Sequence, residues 1–297
     1  MNKQLRGSIL LLLATVIWGA AFVSQRVGMD YVGPFTFQAV RCFLAVISLI
    51  PIILIFDITK KDKNTFIGRW KSKSLWKAGL LCGIPLFLAC NLQQLGIVET
   101  DAGKSGFLTA MYIVIVPIIG LLRGIKASKL VYCGVGLAVV GLYFLSCVGV
   151  PQISTSDLLL IGCAFMFAVQ ITFVDKYAGD VDPLRLNLIQ ALVCAVLSAI
   201  VMLITEKPEI HGIWQCRTAL MYAGFLSMGA AYGLQIFGQR DVSTAAASII
   251  MSLESVFATL FGCLLLNERM RGTEIIGCIF MFAAVILSQL PSSKKKI

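Results

Sequence analysis

The sequence predicts an all-α integral membrane fold of about ten transmembrane helices, arranged as two inverted five-helix repeats. Three observations predict it. Hydrophobic residues make up 58% of the chain and charged residues only 13%, with a mean hydropathy of +0.89, far more apolar than an ordinary globular domain. Apolar stretches of about 18 to 24 residues, long enough to cross a bilayer, follow one another with short polar joints between them. Segments of the first half recur in altered form in the second. No stretch of the 297 residues is left for a soluble domain of ~100 residues, so residues 1–297 read as one transmembrane domain.

Taken in order, the first expected span is Gly7–Val27, preceded by Lys3 and Arg6. It is longer than a signal peptide's apolar core and nine more spans follow it, which argues for a retained helix. Pro34–Phe56 runs into a basic joint, Thr59–Lys77, that holds Lys60, Lys61, Lys63, Arg69, Lys71, Lys73 and Lys77. Leu75–Val98 and Gly103–Leu122 come next, then the Arg123–Lys129 joint and Leu130–Val150. The joint Gly149–Asp157 has no Lys or Arg. The second five spans are Asp157–Phe173, Leu184–Thr205, Thr218–Gly238, Thr244–Leu266 and Glu274–Leu290, followed by the Lys294–Lys296 tail.

A net charge of +10 does not point to nucleic acid here, because the basic residues form a topology signal instead of a recognition surface. With both termini inside, about 18 of the 25 basic residues face the cytoplasm and about 6 face outward, with Arg41 left within a span. The ten cysteines include no CxxC pair and no Cys/His cluster, and the single histidine, His211, lies in an outer joint. Cys42, Cys90, Cys163 and Cys263 sit in apolar spans as small hydrophobes. No cofactor, structural metal or disulfide framework is expected, and no phosphate-cradling glycine loop or nucleophile elbow is present. Glycines such as Gly120, Gly124, Gly134, Gly136 and Gly141 read as close-packing positions.

The repeat is legible at two offsets. LQQLG at Leu92–Gly96 resembles LQIFG at Leu234–Gly238, and Ser146 matches Ser288, both at an offset of 142. Nearer the start of each half, Asp30–Arg41 matches Gly179–Gln190, with Val32 over Val181 and Pro34 over Pro183, at an offset of 149. The longer basic joint of the first half accounts for the difference. Each copy has an odd number of spans, so the second enters the membrane inverted, residues 7–150 forming the first copy and 157–290 the second.

The central polar residue is Glu254, near the middle of the ninth span. A carboxylate at that depth costs ~2.5 to 3.5 kcal/mol on insertion scales, so it faces protein or water and commonly marks a substrate or ion path. The plainer reading is a structural glutamate tied to a neighbouring helix. Counting 1.5 Å per residue, Glu254 lies roughly 15 Å from the inner start of its helix, and its counterpart Tyr112 roughly 14 Å from the outer start of its own. Trp18 and its counterpart Phe167 reach a similar level, and Arg41 and its counterpart Gln190 lie nearer the outer surface. Asn91, Gln170 and Tyr232 complete the candidate binding set, with Glu254 also the candidate for coupling. Gln25 and Arg26, close to the outer end of the first span, read as interfacial.

WGAAF at Trp18–Phe22, GPFTFQAVRC at Gly33–Cys42, Leu253–Glu254 and NERMRGTEIIG at Asn267–Gly277 together resemble the EamA branch of the drug/metabolite transporter superfamily over nearly the full chain. The resemblance implies a single transporter domain of two EamA-like repeats in the inner (plasma) membrane. It implies secondary, non-ATP export of small organic solutes such as amino acids by alternating access. Two departures stand out. Ser255 occupies a place where the family often has proline, so the sequence supplies no proline to kink the ninth helix, and LLRGIKASK replaces a glycine-glutamate-arginine type joint in the first half. Partners are then a small organic solute, the lipid bilayer and, for coupling, protons, with monomer and homodimer both open. A proton-independent facilitator or an importer is the alternative. A membrane enzyme lacks a His/Asp/Glu cluster, and a channel lacks a filter motif.

Overall fold

The computed structural model describes residues 2–59, 69–146, 154–266, 269 and 271–290. Their long helices, in order, are α1 (Lys3–Gly28), α2 (Pro34–Thr59), α3 (Lys73–Gly96), α4 (Ala102–Leu122), α5 (Lys129–Ser146), α6 (Thr155–Tyr177), α7 (Pro183–Thr205), α8 (Arg217–Gln239), α9 (Thr244–Leu265) and α10 (Gly272–Gln289), with a short helix, Ile210–Gln215, before α8. Nine of these are long and apolar enough to cross a membrane, and α5 contributes a shorter apolar segment, Lys129–Phe144. The chain is an integral membrane protein of about ten helices. Lys60, Lys61, Lys63, Asn267, Glu268, Met270 and Lys294–Lys296 lie outside the described residues, as does the expected end of the fifth span beyond Ser146.

The helix starts follow from local chemistry. Asn2 accepts from the Gln4 amide at the head of α1, and Ser72 from the Leu75 amide at the head of α3. Ser154 and Asp157 form a reciprocal capping box on α6, and Asp182 caps α7 just before Pro183. The head of α2 is capped differently. Its Phe35 and Thr36 amides donate to the carboxylate of Glu206, which comes from the far end of α7.

Packing repeats itself five helices on. α3 lies against α6 and α7, while α8 lies against α1 and α2; α1 packs on α9, while α6 packs on α4. Three further extensive pairs are α2 with α7, α4 with α9, and α5 with α10. Several of these crossings are close enough to require glycine. A Cβ on Gly19 would stand 2.3 Å from the Phe257 Cβ, and one on Gly141 would stand 2.9 Å from the Gly277 carbonyl oxygen. Of the glycines expected at packing seams, Gly134 and Gly141 meet α10, whereas Gly136 and Gly124 face open space. Gly124 serves a turn instead, with φ at +75°.

Three helices depart from regular α geometry, all at the centre. α4 consists of Ala102–Ala110 and Tyr112–Leu122 joined at Met111, and α9 consists of Thr244–Met251 and Glu254–Leu265 joined through Ser252 and Leu253. So α9 is interrupted without a proline. A series of hydroxyls accompanies the break: Ser252 donates to the Ile249 carbonyl, Ser255 to that of Ser252 and Thr259 to that of Ser255. Side-chain donors that take up carbonyls three or four residues back loosen and bend a helix. In α4 the same place as Thr259 is held by Pro117, which removes one amide from the ladder. The third departure is the π-helical Tyr222–Ala231 in α8, where the Asn187 amide donates to the Gly229 carbonyl.

Candidate functional site

Both interruptions fall immediately before a polar side chain, Tyr112 on α4 and Glu254 on α9. These two side chains lie beside one another and line a cavity of about 30 Å³. The remaining wall is built from Trp18, Ala21, Phe22 and Gln25 of α1, Arg41 of α2, Gln93 of α3, and Phe167, Gln170 and Ile171 of α6. Ser227, Tyr232 and Gln235 of α8 and Met251 of α9 complete it. Many of these residues are counterparts under the offsets read from the sequence: Trp18 and Phe167, Ala21 and Gln170, Phe22 and Ile171, Gln93 and Gln235, Tyr112 and Glu254. Cys90 and its counterpart Tyr232 touch directly, with sulfur and hydroxyl 3.7 Å apart. The cavity therefore sits where the two halves meet.

Polar atoms are left unused around it. Glu254 is 5% exposed and Arg41 3% exposed, yet neither forms an ion pair among the described residues. Glu254 Oε1, Arg41 Nε, the Tyr112 hydroxyl, Trp18 Nε1, Gln25 Oε1 and Gln235 Oε1 are buried without a hydrogen-bond partner. Each such group costs ~1 to 3 kcal/mol, more when charged, and a fold that keeps several facing one space has a use for them outside its own stability. The space itself holds about two water molecules. It has to enlarge before an organic solute can enter.

Of the nine candidate residues, the cavity brings together seven: Trp18, Arg41, Tyr112, Phe167, Gln170, Tyr232 and Glu254. Asn91 and Gln190 are elsewhere. Asn91 donates to the Phe87 carbonyl and, at 2.9 Å, to Ser198 Oγ, so it ties α3 to α7. Gln190 stands behind the wall, accepting from Gln170 Nε2 and donating to Asn187 Oδ1. Gln170 also accepts from Gln235, which is bonded to Gln239, giving an amide chain that fixes the wall on the α6 and α8 side. Gln25 is not interfacial. It is 3% exposed, because α3 covers it and Gln94 Nε2 donates to its backbone carbonyl.

The cavity residues that the sequence reading missed are chiefly Gln25, Gln93, Ser227 and Gln235. Gln93 and Gln235 carried a usable signal, since they belong to the LQQLG and LQIFG segments that reveal the repeat. Ser227 carried none, because it reaches the cavity only through the π-helical turn of α8.

The model of the EamA-like transporter family matches residues 5–147 and again residues 154–290. The chain belongs to that family. An uncharacterized transporter of Archaeoglobus fulgidus is 31% identical over 97% of this chain and 87% of its own length. An uncharacterized transporter of Bacillus subtilis, YoaV, is 23% identical over 95% of this chain and 96% of its own. One solved crystal structure superimposes with a TM-score of 0.76 at 15% identity, covering 95% of this chain and 96% of that one, a likeness of fold. As an EamA-like chain of the drug/metabolite transporter superfamily, the protein is a multi-pass membrane transporter. The two family matches fall on the two halves whose counterparts line the cavity.

Proposed function

We propose that this transporter is a secondary carrier for a small zwitterionic solute of the amino-acid type, moved out of the cell by alternating access. One observation carries the reading: a buried guanidinium and a buried carboxylate, Arg41 and Glu254, line one cavity, and neither pairs with another charge among the described residues. A solute with both an acid and an amine satisfies both, the carboxylate on the forked donors of Arg41 and the ammonium on Glu254. Trp18, Tyr112, Phe167 and Tyr232 offer aromatic faces to the rest of it. Residues 7–150 and 157–290 act as inverted repeats that rock about this shared cavity. Glu254 either holds the solute's cation or carries the coupling proton, and export as the direction rests on the family resemblance.

The carrier sits in the plasma membrane with both termini cytoplasmic, a reading supported by the basic joints. Purified protein in liposomes should give saturable flux of one or more amino acids, whereas unsaturated conductance would indicate a channel. For topology, a reporter after Lys296 should be cytoplasmic and Lys71, which is exposed, should escape an impermeant external label. External labelling of Lys71 would reverse the orientation.

A further inference from the structure

α2 and α7 are tied to one another at both ends, and the two ties are counterparts. At one end Asp57, near the C-terminus of α2, pairs with Arg185 in the first turn of α7. At the other, Glu206 at the C-terminus of α7 accepts from the Phe35 amide at 2.9 Å, the Thr36 amide at 2.8 Å and the Thr36 hydroxyl at 2.6 Å, all in the first turn of α2. Asp57 and Glu206 are separated by 149 residues, and so are Thr36 and Arg185. That is the offset read from the opening helices of the two halves. Each helix thus carries a carboxylate at its end that grips the beginning of the other.

The ties differ in chemistry. Arg185 is 2% exposed, is also bonded to Asp182 at 3.2 Å, and lies with its guanidinium 5.4 Å from the centre of the Trp70 ring. Among the described residues the outer tie has no cation; it consists of amide and hydroxyl donors, and it depends on Gly33, where a Cβ would stand 2.4 Å from the Glu206 carboxyl carbon. Both ties are made at once in this structure, and the cavity bordered by Arg41 of α2 has room for about two waters. Two antiparallel helices rocking about their crossing point separate at one end while they close at the other. They cannot open toward either side with both ties intact.

We infer that Asp57 with Arg185, and Glu206 with the head of α2, are the inner and outer latches of the transport cycle, released alternately. The inference rests on the alternating-access reading above. Hydrogen exchange of the protein in nanodiscs, read at amides near residues 184–188 and 35–39, tests it. Asp57→Asn should speed exchange at the inner end and slow it at the outer end, changing the ratio of the two by about tenfold. Glu206→Gln, and the milder Gly33→Ala, should do the reverse. The double variant Asp57→Asn with Glu206→Gln should return the ratio near that of the wild type.

Faster exchange only at the altered end, with the other end unmoved and the double variant additive, would make these local caps and overturn the inference. So would unchanged exchange in Asp57→Asn and Gly33→Ala alike. Wild-type flux measured on the same preparation keeps the two readings apart. Reciprocal exchange without amino-acid flux leaves the latches standing and removes the solute assignment, and saturable flux with purely local exchange does the opposite.

Discussion

Two helix pairs in this protein each join corresponding helices of the two halves, and they are built in opposite ways. α4 and α9 meet at the centre, and 67% of the apolar window of α9 is buried. α5 and α10 pack chiefly on each other, and only 22% of the window of α10 is buried. The central pair is broken in both members and places Tyr112 against Glu254 at the breaks. The peripheral pair is unbroken, is closed by Gly141 on Gly277 and Met281, and stacks Phe144 on Phe280 at 6.0 Å. Among the described residues neither α5 nor α10 has an unpaired buried side-chain donor or acceptor, whereas the cavity wall has several. The peripheral pair is thus closed by small residues that give close packing, whereas the central pair borders a cavity whose buried polar groups are left unpaired.

That contrast breaks most visibly if Glu254 behaves like a scaffold residue. If Glu254 carries the coupling proton, Glu254→Gln should abolish transport driven by a pH gradient while leaving exchange of solute across the membrane, measured in liposomes with and without the gradient. Lost affinity with an unchanged proton dependence would limit Glu254 to binding the solute. Lower thermal stability with normal kinetics in the folded fraction would move it to the structural side of the comparison. Alanine at Trp18, Tyr112 and Phe167 together should raise the half-saturating concentration by about tenfold or more, since aromatic contacts contribute ~0.5 to 1.5 kcal/mol each. Unchanged kinetics would place the solute elsewhere.

The peripheral pair should respond in the reverse manner. Gly141→Val forces a side chain into the Gly277 carbonyl and Met281, and overpacking of this kind costs ~1 to 3 kcal/mol. Its melting temperature should drop while the half-saturating concentration stays within about twofold of wild type. A changed affinity at wild-type stability would show that α5 and α10 take part in the site. Asn91→Ala should have the smallest effect on transport, because Asn91 serves the α3 to α7 tie and not the cavity. Its loss should lower stability by ~1 kcal/mol, read from the same melting curves.

Much of this was legible from residues alone, for physical reasons that also mark where legibility stops. Span positions followed from hydropathy, since lipid demands apolar length, and among the described residues the helices began and ended within a few residues of expectation, the end of the fifth span lying outside them. Depth counted along each helix brought Trp18, Tyr112, Phe167 and Glu254 to one level, and they line one cavity. Depth does not fix the direction a residue faces. That is why Asn91 and Gln190, counted at suitable levels, turned to a neighbouring helix and to a second layer of amides. The interruption of α9 escaped a search for proline because it falls in a run of serine and threonine hydroxyls and contains no proline. The π-helical turn of α8, which sets Ser227 at the wall, has no sequence signature at all.

On the function proposed above, Arg41 and Glu254 stay unpaired for a solute that carries both charges. Equilibrium binding to purified protein measures it most directly, comparing each amino acid with the amine that lacks its carboxylate and the N-acetylated acid that lacks its cation. An amino acid should bind at least about tenfold more tightly than either analogue, and Arg41→Ala should remove the preference for the carboxylate without lowering the melting temperature. Equal affinity for amino acid, amine and acid, or a preference that survives Arg41→Ala, would contradict it.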